Sequence, residues 1–244
     1  LARFGETLYC LHQDAEGKGS LVALSFDRRW GDETVVAERA LTSSPAAAVL
    51  GGRLYAVHQN VGNGRTLAFE STADGSRWTT PAAAPVTTHV GGSTAAATFG
   101  ETLYVFYTLP ISPVGTVAYV TCSASGSWGA ERAVPGTLGF LTGTPGAAVF
   151  QERLYVCFPT SGRALGVATY DGDRWEAAQP VVGATGIAGG VSVVAFEGLL
   201  YALYRSTLGP VTYLTYLTFD GAAWHGPAQV AGVSPAIDPA ATVY

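Results

Sequence analysis

A single phrase of sequence, repeated at nearly equal intervals, constrains the fold of this chain more than any other feature. A Leu-Tyr pair marks five copies, and successive tyrosines are 46 to 51 residues apart. These tyrosines are Tyr9, Tyr55, Tyr104, Tyr155 and Tyr201. The five tryptophans of the chain keep the same register at intervals of 47 to 50 residues, and they are Trp30, Trp78, Trp128, Trp175 and Trp224. Two marks with one period indicate that the chain is built from five structural repeats.

Within each repeat, the pattern predicts four short β-strands. In the second copy the first strand is "PAAAVL" from Pro45, and a "GG" turn leads into the Leu-Tyr strand. The third strand ends near an Asp-Gly pair such as Asp74-Gly75, which favours a two-residue hairpin with positive φ at both central residues. The fourth strand begins near the tryptophan. Four strands in a repeat of roughly 40–50 residues are typical of a β-propeller blade, and small first-strand residues suit its crowded axis.

The two ends of the chain are predicted to share one blade. The C-terminal "DPAATVY" from Asp238 matches the first strand of the other repeats, and the N-terminal "LARFGETLY" matches "AATFGETLY" from Ala96. We therefore expect residues 1–244 to form a single all-β domain. Its predicted fold is a five-bladed β-propeller with four antiparallel strands per blade, the ring closed by the C-terminal segment joining the N-terminal blade.

Composition argues against several functional classes. The net charge is −5 and Lys18 is the only lysine, so no basic cluster is available to bind nucleic acid. No apolar run approaches the roughly 20 residues of a membrane helix, and we expect no membrane insertion. The cysteines, Cys10, Cys122 and Cys157, follow neither a metal-binding nor a disulfide pattern and are expected to be buried thiols. We expect no metal and no cofactor.

The connections at the two ends of the predicted blades differ in how much they vary. The first-to-second and third-to-fourth turns are short and uniform. The second-to-third loops have the sequences "QDAEGKGS", "NVGNGR", "TLPISPVG", "PTSGRA" and "STLGP". Because strands alternate in direction, these loops and the interblade links gather at one end of the propeller, here called the varied face. Varied loops on a regular scaffold are where repeat proteins usually place function.

A ring-bearing residue occurs three positions after each Leu-Tyr tyrosine, where the second strand reaches the varied face. These residues are His12, His58, Tyr107, Phe158 and Tyr204. A ring can stack on the apolar face of a sugar while a following amide or guanidinium binds its hydroxyls. The predicted ligand-binding residues are His12, Gln13, His58, Gln59, Tyr107, Tyr204 and Arg205. The alternative is that the rings fill space between blades, as we expect of the tryptophans beside the uniform turns.

The repeat is similar to the blades of propeller lectins, such as the tachylectin-type and fungal fucose-binding lectins, and to sialidase-like repeats. The segment "STADGSRW" from Ser71 resembles the sialidase Asp-box, Ser-x-Asp-x-Gly-x-x-Trp, but here Asp74 directly precedes Gly75. The likeness covers the whole chain at the level of architecture and a loose motif. The Asp-box is a fold element at a turn, so this resemblance implies a sugar-related propeller and assigns no catalytic residue.

An enzyme of this fold would need carboxylates on its inner strands. Propeller glycosidases resemble one another in placing the acid and the base or nucleophile there. Among the starts of the inner strands only Asp238 is acidic, so it is the one candidate axial acid. A sialidase would need three converging arginines, and no spacing specifies such a set. The arginines that could reach the varied face are Arg39, Arg65, Arg163 and Arg205.

Near-equal blades without insertions suggest repeated weak sites, which gain avidity on a glycan-coated surface. The sequence therefore favours a multivalent, non-catalytic, lectin-like carbohydrate-binding propeller with glycans or glycoconjugates as partners. A glycoside hydrolase of propeller fold, sialidase-like or another exo-glycosidase, and a protein-interaction scaffold are the alternatives. A secreted or cell-surface location is expected, and scarce lysine with abundant Ala and Gly suggests a bacterial source. The sequence specifies neither the sugar nor the oligomeric state.

Overall fold

The chain is described here from a computed structural model, and its described residues form β-strands joined by turns and irregular connections. The structure describes residues 1–14, 18–38, 41, 43–60, 66–86, 89–110, 115–137, 143–208 and 210–243, and none of these is helical. Accordingly, no described segment is a helix able to cross a membrane. The described residues form five separate sheets, and in each of them successive strands pair side by side. The fold is therefore the predicted five-bladed β-propeller with four antiparallel strands per blade.

The first compact unit comprises Leu1–Tyr107, Tyr119–Arg132 and Thr242–Tyr244. Its first blade consists of β1 (Ala2–Phe4), β2 (Thr7–Gln13), β3 (Leu21–Asp27), β4 (Arg29–Trp30) and a fifth short strand, β5 (Thr34–Ala37), that pairs with β3. The second blade consists of β6 (Ala46–Leu50), β7 (Arg53–Asn60), β8 (Thr66–Thr72) and β9 (Ala82–Ala83). The third blade consists of β10 (Gly91–Phe99), β11 (Thr102–Leu109), β12 (Thr116–Ser123) and β13 (Arg132–Ala133).

The second compact unit comprises Thr108–Ala118 and Ala133–Ala241, so the third blade is divided between the two units. The fourth blade consists of β14 (Gly146–Phe150), β15 (Arg153–Pro159), β16 (Leu165–Tyr170) and β17 (Trp175–Val181). The fifth blade consists of β18 (Ile187–Phe196), β19 (Leu199–Leu208), β20 (Val211–Phe219) and β21 (Trp224–Gln229). Prediction of one domain over residues 1–244 stays a prediction.

Within each unit, the repeated residues pack one blade on the next. Leu54 and Leu200 of the Leu-Tyr strands are fully buried. In the second unit Tyr155 of the fourth blade lies 5.7 Å from Phe219 of the fifth, measured between ring centroids. In the first unit Trp128 lies 4.8 Å from Phe69. Packing of this kind explains why the Leu-Tyr and Trp residues recur, since neighbouring blades within a unit present similar surfaces to each other.

One tryptophan and one cysteine differ from the expected burial. Trp30 is 52% exposed, although it packs against Phe26 at 5.1 Å. Cys122 and Cys157 are buried free thiols as predicted, whereas Cys10 is only partly buried. Burial raises the pKa of Cys157 to about 12, so this thiol stays protonated and unreactive at neutral pH.

The two kinds of turn are exchanged relative to the predicted geometry. Asp74 does not have positive φ; its Oδ1 accepts the amides of Ser76 at 2.9 Å and Arg77 at 2.8 Å. Asp171 and Asp220 repeat this arrangement. Consecutive positive φ occurs instead in the first-to-second turns, at residues 51–52, 151–152 and 197–198. The prediction of a two-residue Asp-Gly hairpin is therefore wrong, because the aspartate side chain closes the turn itself.

In the first blade β1 is the inner strand. Residues 239–243, which were expected to extend it, do not form a β-strand. The C-terminal segment is nevertheless held beside β18. Asp238 Oδ2 accepts the amide of Gly190 at 2.7 Å, and the amide of Ala241 donates to Ser192 Oγ at 3.0 Å. Thr242 and Val243 belong to the same compact unit as the first blade. The C-terminal segment thus contributes side-chain bonds where a full strand pairing was expected.

Candidate functional site

The five ring positions near the ends of the second strands have different surroundings. His58, Tyr107, Phe158 and Tyr204 are at most 1% exposed, whereas the His12 side chain is 31% exposed. The ring is therefore buried in four blades and partly exposed in the first. The ligand-binding role of these residues stays a prediction.

His58 and Gln59 make their polar contacts inside the second blade and its link. His58 Nε2 lies 3.2 Å from both carboxylate oxygens of the fully buried Glu70, and Nδ1 lies 3.2 Å from the carbonyl oxygen of Gln59. Gln59 Nε2 donates to the carbonyl oxygen of Val90 at 2.6 Å. Because the imidazole and the amide nitrogen both face protein acceptors, these two residues fix the β7 end against its surroundings.

Tyr107 and Tyr204 are buried in different ways. Tyr107 Oη donates to Glu131 Oε2 at 2.7 Å, whereas the buried Tyr204 hydroxyl has no partner among the described residues. Burial, followed by the hydrogen bond to the Glu131 carboxylate, raises the pKa of Tyr107. Burial alone raises the pKa of Tyr204 to about 12. Both phenols are therefore neutral at physiological pH.

His12 and Gln13 are the predicted pair that reaches solvent. The His12 Nδ1 atom lies 2.7 Å from the carbonyl oxygen of Gln13, and Nε2 lies 3.5 Å from a carboxylate oxygen of Glu33. Gln13 is exposed, and the Glu33 side chain is 46% exposed. In contrast to His58, the His12 ring is partly exposed to solvent, although its Nε2 atom is itself buried.

Arg205 and Asp238 are the two predicted residues that the structure brings together. The guanidinium lies 3.9 Å from the Asp238 carboxylate and donates to the carbonyl oxygens of Ala188 at 3.0 Å and Ala236 at 2.7 Å. Asp238 also accepts the Gly190 amide. In the described geometry both side chains tie the C-terminal segment to the fifth blade. Arg39 and Arg65 lie outside the described residues.

A pocket of about 440 Å³ opens beside the loop that joins β15 to β16, and it is called the blade-4 pocket here. Its described lining consists of Gly136, Phe158, Thr160, Ser161, Gly162, Gly166, Ala178, Gln179 and Pro180. All of these residues belong to the second compact unit. The volume lies within the roughly 300–1,000 Å³ of small-molecule sites. The pocket is therefore large enough for a compact ligand at a varied loop.

The register of the fourth blade explains why the pocket lies there. Phe158 pairs across the ladder with Gly166, which in turn pairs with Pro180. A Cβ on Gly166 would come 2.5 Å from the Phe158 ring, so the ring lies directly on this glycine. The corresponding ladder partners of the ring residues in the first, second and fifth blades are larger: Val22, Ala68 and Thr215. The glycine lets the ring settle onto β16 and leaves space beside β17.

One feature of the sequence indicates this pocket, but only when the strand register is known: a glycine lies opposite Phe158. Phe158 belongs to the ring series but has no polar atom, so it was not among the predicted ligand-binding residues. The informative residue was Gly166, whose position opposite Phe158 depends on strand register. In the part of the chain that the structure describes, no group of three metal-binding side chains is present.

Comparison with known proteins identifies similar folds. No protein-family model matches the chain, and no curated protein matches it by sequence. A six-bladed fucose-recognising lectin from the fungus Aleuria aurantia superposes with a TM-score of 0.68 at 19% identity, over 97% of this chain and 79% of that one. AofleA from Arthrobotrys oligospora gives 0.68 at 14% identity, over 94% and 70%. An α-L-arabinofuranosidase from Clostridium thermocellum gives 0.56 at 17% identity, over 80% and 76%. Likeness at these identities is evidence of a shared fold alone.

Proposed function

We propose that the protein is a non-catalytic carbohydrate-binding propeller. The blade-4 pocket supports this most directly, because it combines the apolar Ala178 and Pro180 with neutral polar side chains at a varied loop. Sugars present an apolar C–H face beside hydroxyl groups, and sites for them need both kinds of surface. Likeness of fold to fucose-recognising lectins agrees with this proposal without identifying the sugar.

The proposal includes more than one sugar site and a glycan-coated surface as the natural target. In the first blade Gln13 is exposed and the His12 ring is partly exposed, and neither lines the blade-4 pocket. Two or more weak sites on one molecule bind a surface far more tightly than either site binds free sugar. Such a protein is of most use where glycans are displayed, so a secreted or cell-surface location is part of the proposal.

Binding to a glycan array, followed by titration calorimetry with the bound glycans, tests this function. Wild-type protein should bind specific glycans on the array. Its apparent affinity for a glycan-coated surface should exceed its affinity for the same sugar free in solution. His12→Ala should weaken surface retention while leaving the melting temperature unchanged, since its side chain is partly exposed. Absence of binding to every neutral and acidic glycan on the array would overturn the proposal.

A glycoside hydrolase is the second candidate, and the specific observation in its favour is the likeness of fold to an arabinofuranosidase. The sialidase-like repeat type belongs with this candidate. Its one candidate axial acid, Asp238, accepts a backbone amide and neighbours Arg205, an arrangement that suits a structural carboxylate. Incubation with a panel of fluorogenic glycosides distinguishes the two functions. Release by the wild type that is lost in a folded Asp238→Asn variant would favour the hydrolase.

A further inference from the structure

Resting on the proposed function, we infer that the blade-4 pocket binds an uncharged sugar residue and rejects acidic sugars such as sialic and uronic acids. The lining supports this directly. Its described residues are three glycines, the apolar Phe158, Ala178 and Pro180, and the neutral polar Thr160, Ser161 and Gln179, so none of them is charged. A ligand carboxylate would find no counter-ion among them.

The cation that follows the pocket in sequence is held elsewhere. Arg163 comes directly after Gly162, but its guanidinium donates to the carbonyl oxygens of Ile187 at 3.3 Å and Gly186 at 3.4 Å, and to the Thr207 hydroxyl. Three acceptors therefore hold this side chain against the fifth blade and its link. A carboxylate that entered the pocket would lose hydration without gaining a cation, which is a costly exchange.

The available polar groups suit hydroxyls. Thr160 Oγ1 is already used, since it donates to the carbonyl oxygen of Ala164 at 3.1 Å and accepts the Ala164 amide at 3.2 Å. Ser161 and Gln179 are exposed at the edge of the pocket. A hydroxyl and a carboxamide each donate and accept, which matches the hydroxyls of a neutral sugar. Pro180 and the partly exposed Ala178 supply the apolar surface for its C–H face, and the buried Phe158 ring lies behind them.

Gly162 allows the pocket to be closed with little effect on the fold. A Cβ at this position would meet only Thr160 Oγ1, at 3.9 Å, and Gly162 is not in the left-handed region. Gly162→Leu should therefore fill the pocket without backbone strain. Ala222→Leu is the matched control, because Ala222 is exposed on the Asp220 turn, away from the pocket-lining residues, and receives the same side chain.

The experiment measures binding of wild type, Gly162→Leu and Ala222→Leu. A glycan array is measured first. Binding is then measured by ligand-observed NMR and calorimetry with four probes: methyl α-L-fucoside, methyl α-D-galactoside, N-acetylglucosamine and N-acetylneuraminic acid. Wild type should bind a neutral probe, with affinity little changed by salt because no charge is involved. Gly162→Leu should lose at least about tenfold in affinity for that probe, and Ala222→Leu should match the wild type.

The outcomes separate the inference from the proposed function. Binding of a neutral sugar that Gly162→Leu leaves intact, or binding only of the acidic sugar, overturns the inference while the carbohydrate-binding function stands. No glycan binding by the wild type overturns the proposed function itself. If circular dichroism shows that Gly162→Leu is unfolded, the surface variant Ser161→Ala/Gln179→Ala decides. Unchanged affinity in that folded variant also overturns the inference.

Discussion

Replacing Tyr107 and Tyr204 separately by phenylalanine should shift the free energy of unfolding in opposite directions. Both residues occupy the same repeat position and both are fully buried. The Tyr107 hydroxyl donates to the Glu131 carboxylate at 2.7 Å, whereas the Tyr204 hydroxyl has no described partner. The same chemical change therefore removes a charge-assisted hydrogen bond in one blade and an unsatisfied polar group in another.

The magnitudes follow from these contacts. A hydrogen bond to a charged group contributes about 1.5–3 kcal/mol, and Glu131 is partly accessible to water, so Tyr107→Phe should cost about 1.5 kcal/mol. A buried polar group without a partner costs about 1–3 kcal/mol, and its removal leaves a small void. Tyr204→Phe should therefore stabilise the protein by about 1 kcal/mol. For a chain of this size, each kcal/mol corresponds to roughly 2–4 °C in melting temperature.

Urea unfolding followed by tryptophan fluorescence, with calorimetric melting as a second measurement, tests the sign and the size. Tyr170→Phe is the control, because its hydroxyl bonds the carbonyl oxygen of Gly172 at an exposed site. That change should stay within about 0.5 kcal/mol of the wild type. Equal destabilisation by Tyr107→Phe and Tyr204→Phe would refute the argument, since it would mean that both hydroxyls are satisfied.

The same tyrosines predict an alkaline limit of stability. Burial raises the pKa of Tyr204 to about 12, above the value of about 10 in an unfolded chain. Because the folded state disfavours the ionised phenol, Tyr204 leaves stability independent of pH below the unfolded pKa and lowers it as pH rises from there to the folded pKa. Stability should therefore fall between about pH 10 and 12, and Tyr204→Phe should flatten this fall. An unchanged slope would contradict the assignment.

Three further substitutions and one chemical modification test other parts of the structure. Asp238→Ala should lower the free energy of unfolding in urea by about 1–2 kcal/mol, because the Gly190 amide loses its acceptor. Gly189→Ala should lower the free energy of unfolding by more than Asp238→Ala does, since φ is +97° and the new Cβ would overlap the Asp238 carboxylate. In the double variant, Asp238→Ala should remove the overlap but not the backbone strain. Hydrogen bonds from the turn amides lower the pKa of Asp74, so its contribution is present above about pH 4 and is lost below; Asp74→Asn should unfold less steeply in acid. Cys157 should resist thiol reagents until the protein is denatured, as titration with and without guanidinium would report.

The fold could be predicted because neighbouring blades within each compact unit impose the same packing requirement repeatedly. Leu54 and Leu200 are buried because each second strand lies between neighbouring sheets, and any repeat without such a residue would leave a void. The Asp-Gly turns were predicted wrongly for a local reason. The dipeptide is compatible with positive φ at both residues, but an aspartate oxygen that accepts two following amides stabilises a different turn.

The candidate site depends on strand register, which residue types alone do not give. Glu70 lies beneath His58 because the His58–Ala68 pairing places a residue two positions further along β8 on the same side of the sheet. The same logic applied to the fourth blade puts Gly166 opposite Phe158 and opens the blade-4 pocket. The backbone at the ring position pairs with the third strand in the same way in these blades. The contacts of its side chain differ from blade to blade. The surroundings set by the cross-strand partner, more than the ring itself, determine which blade can admit a ligand.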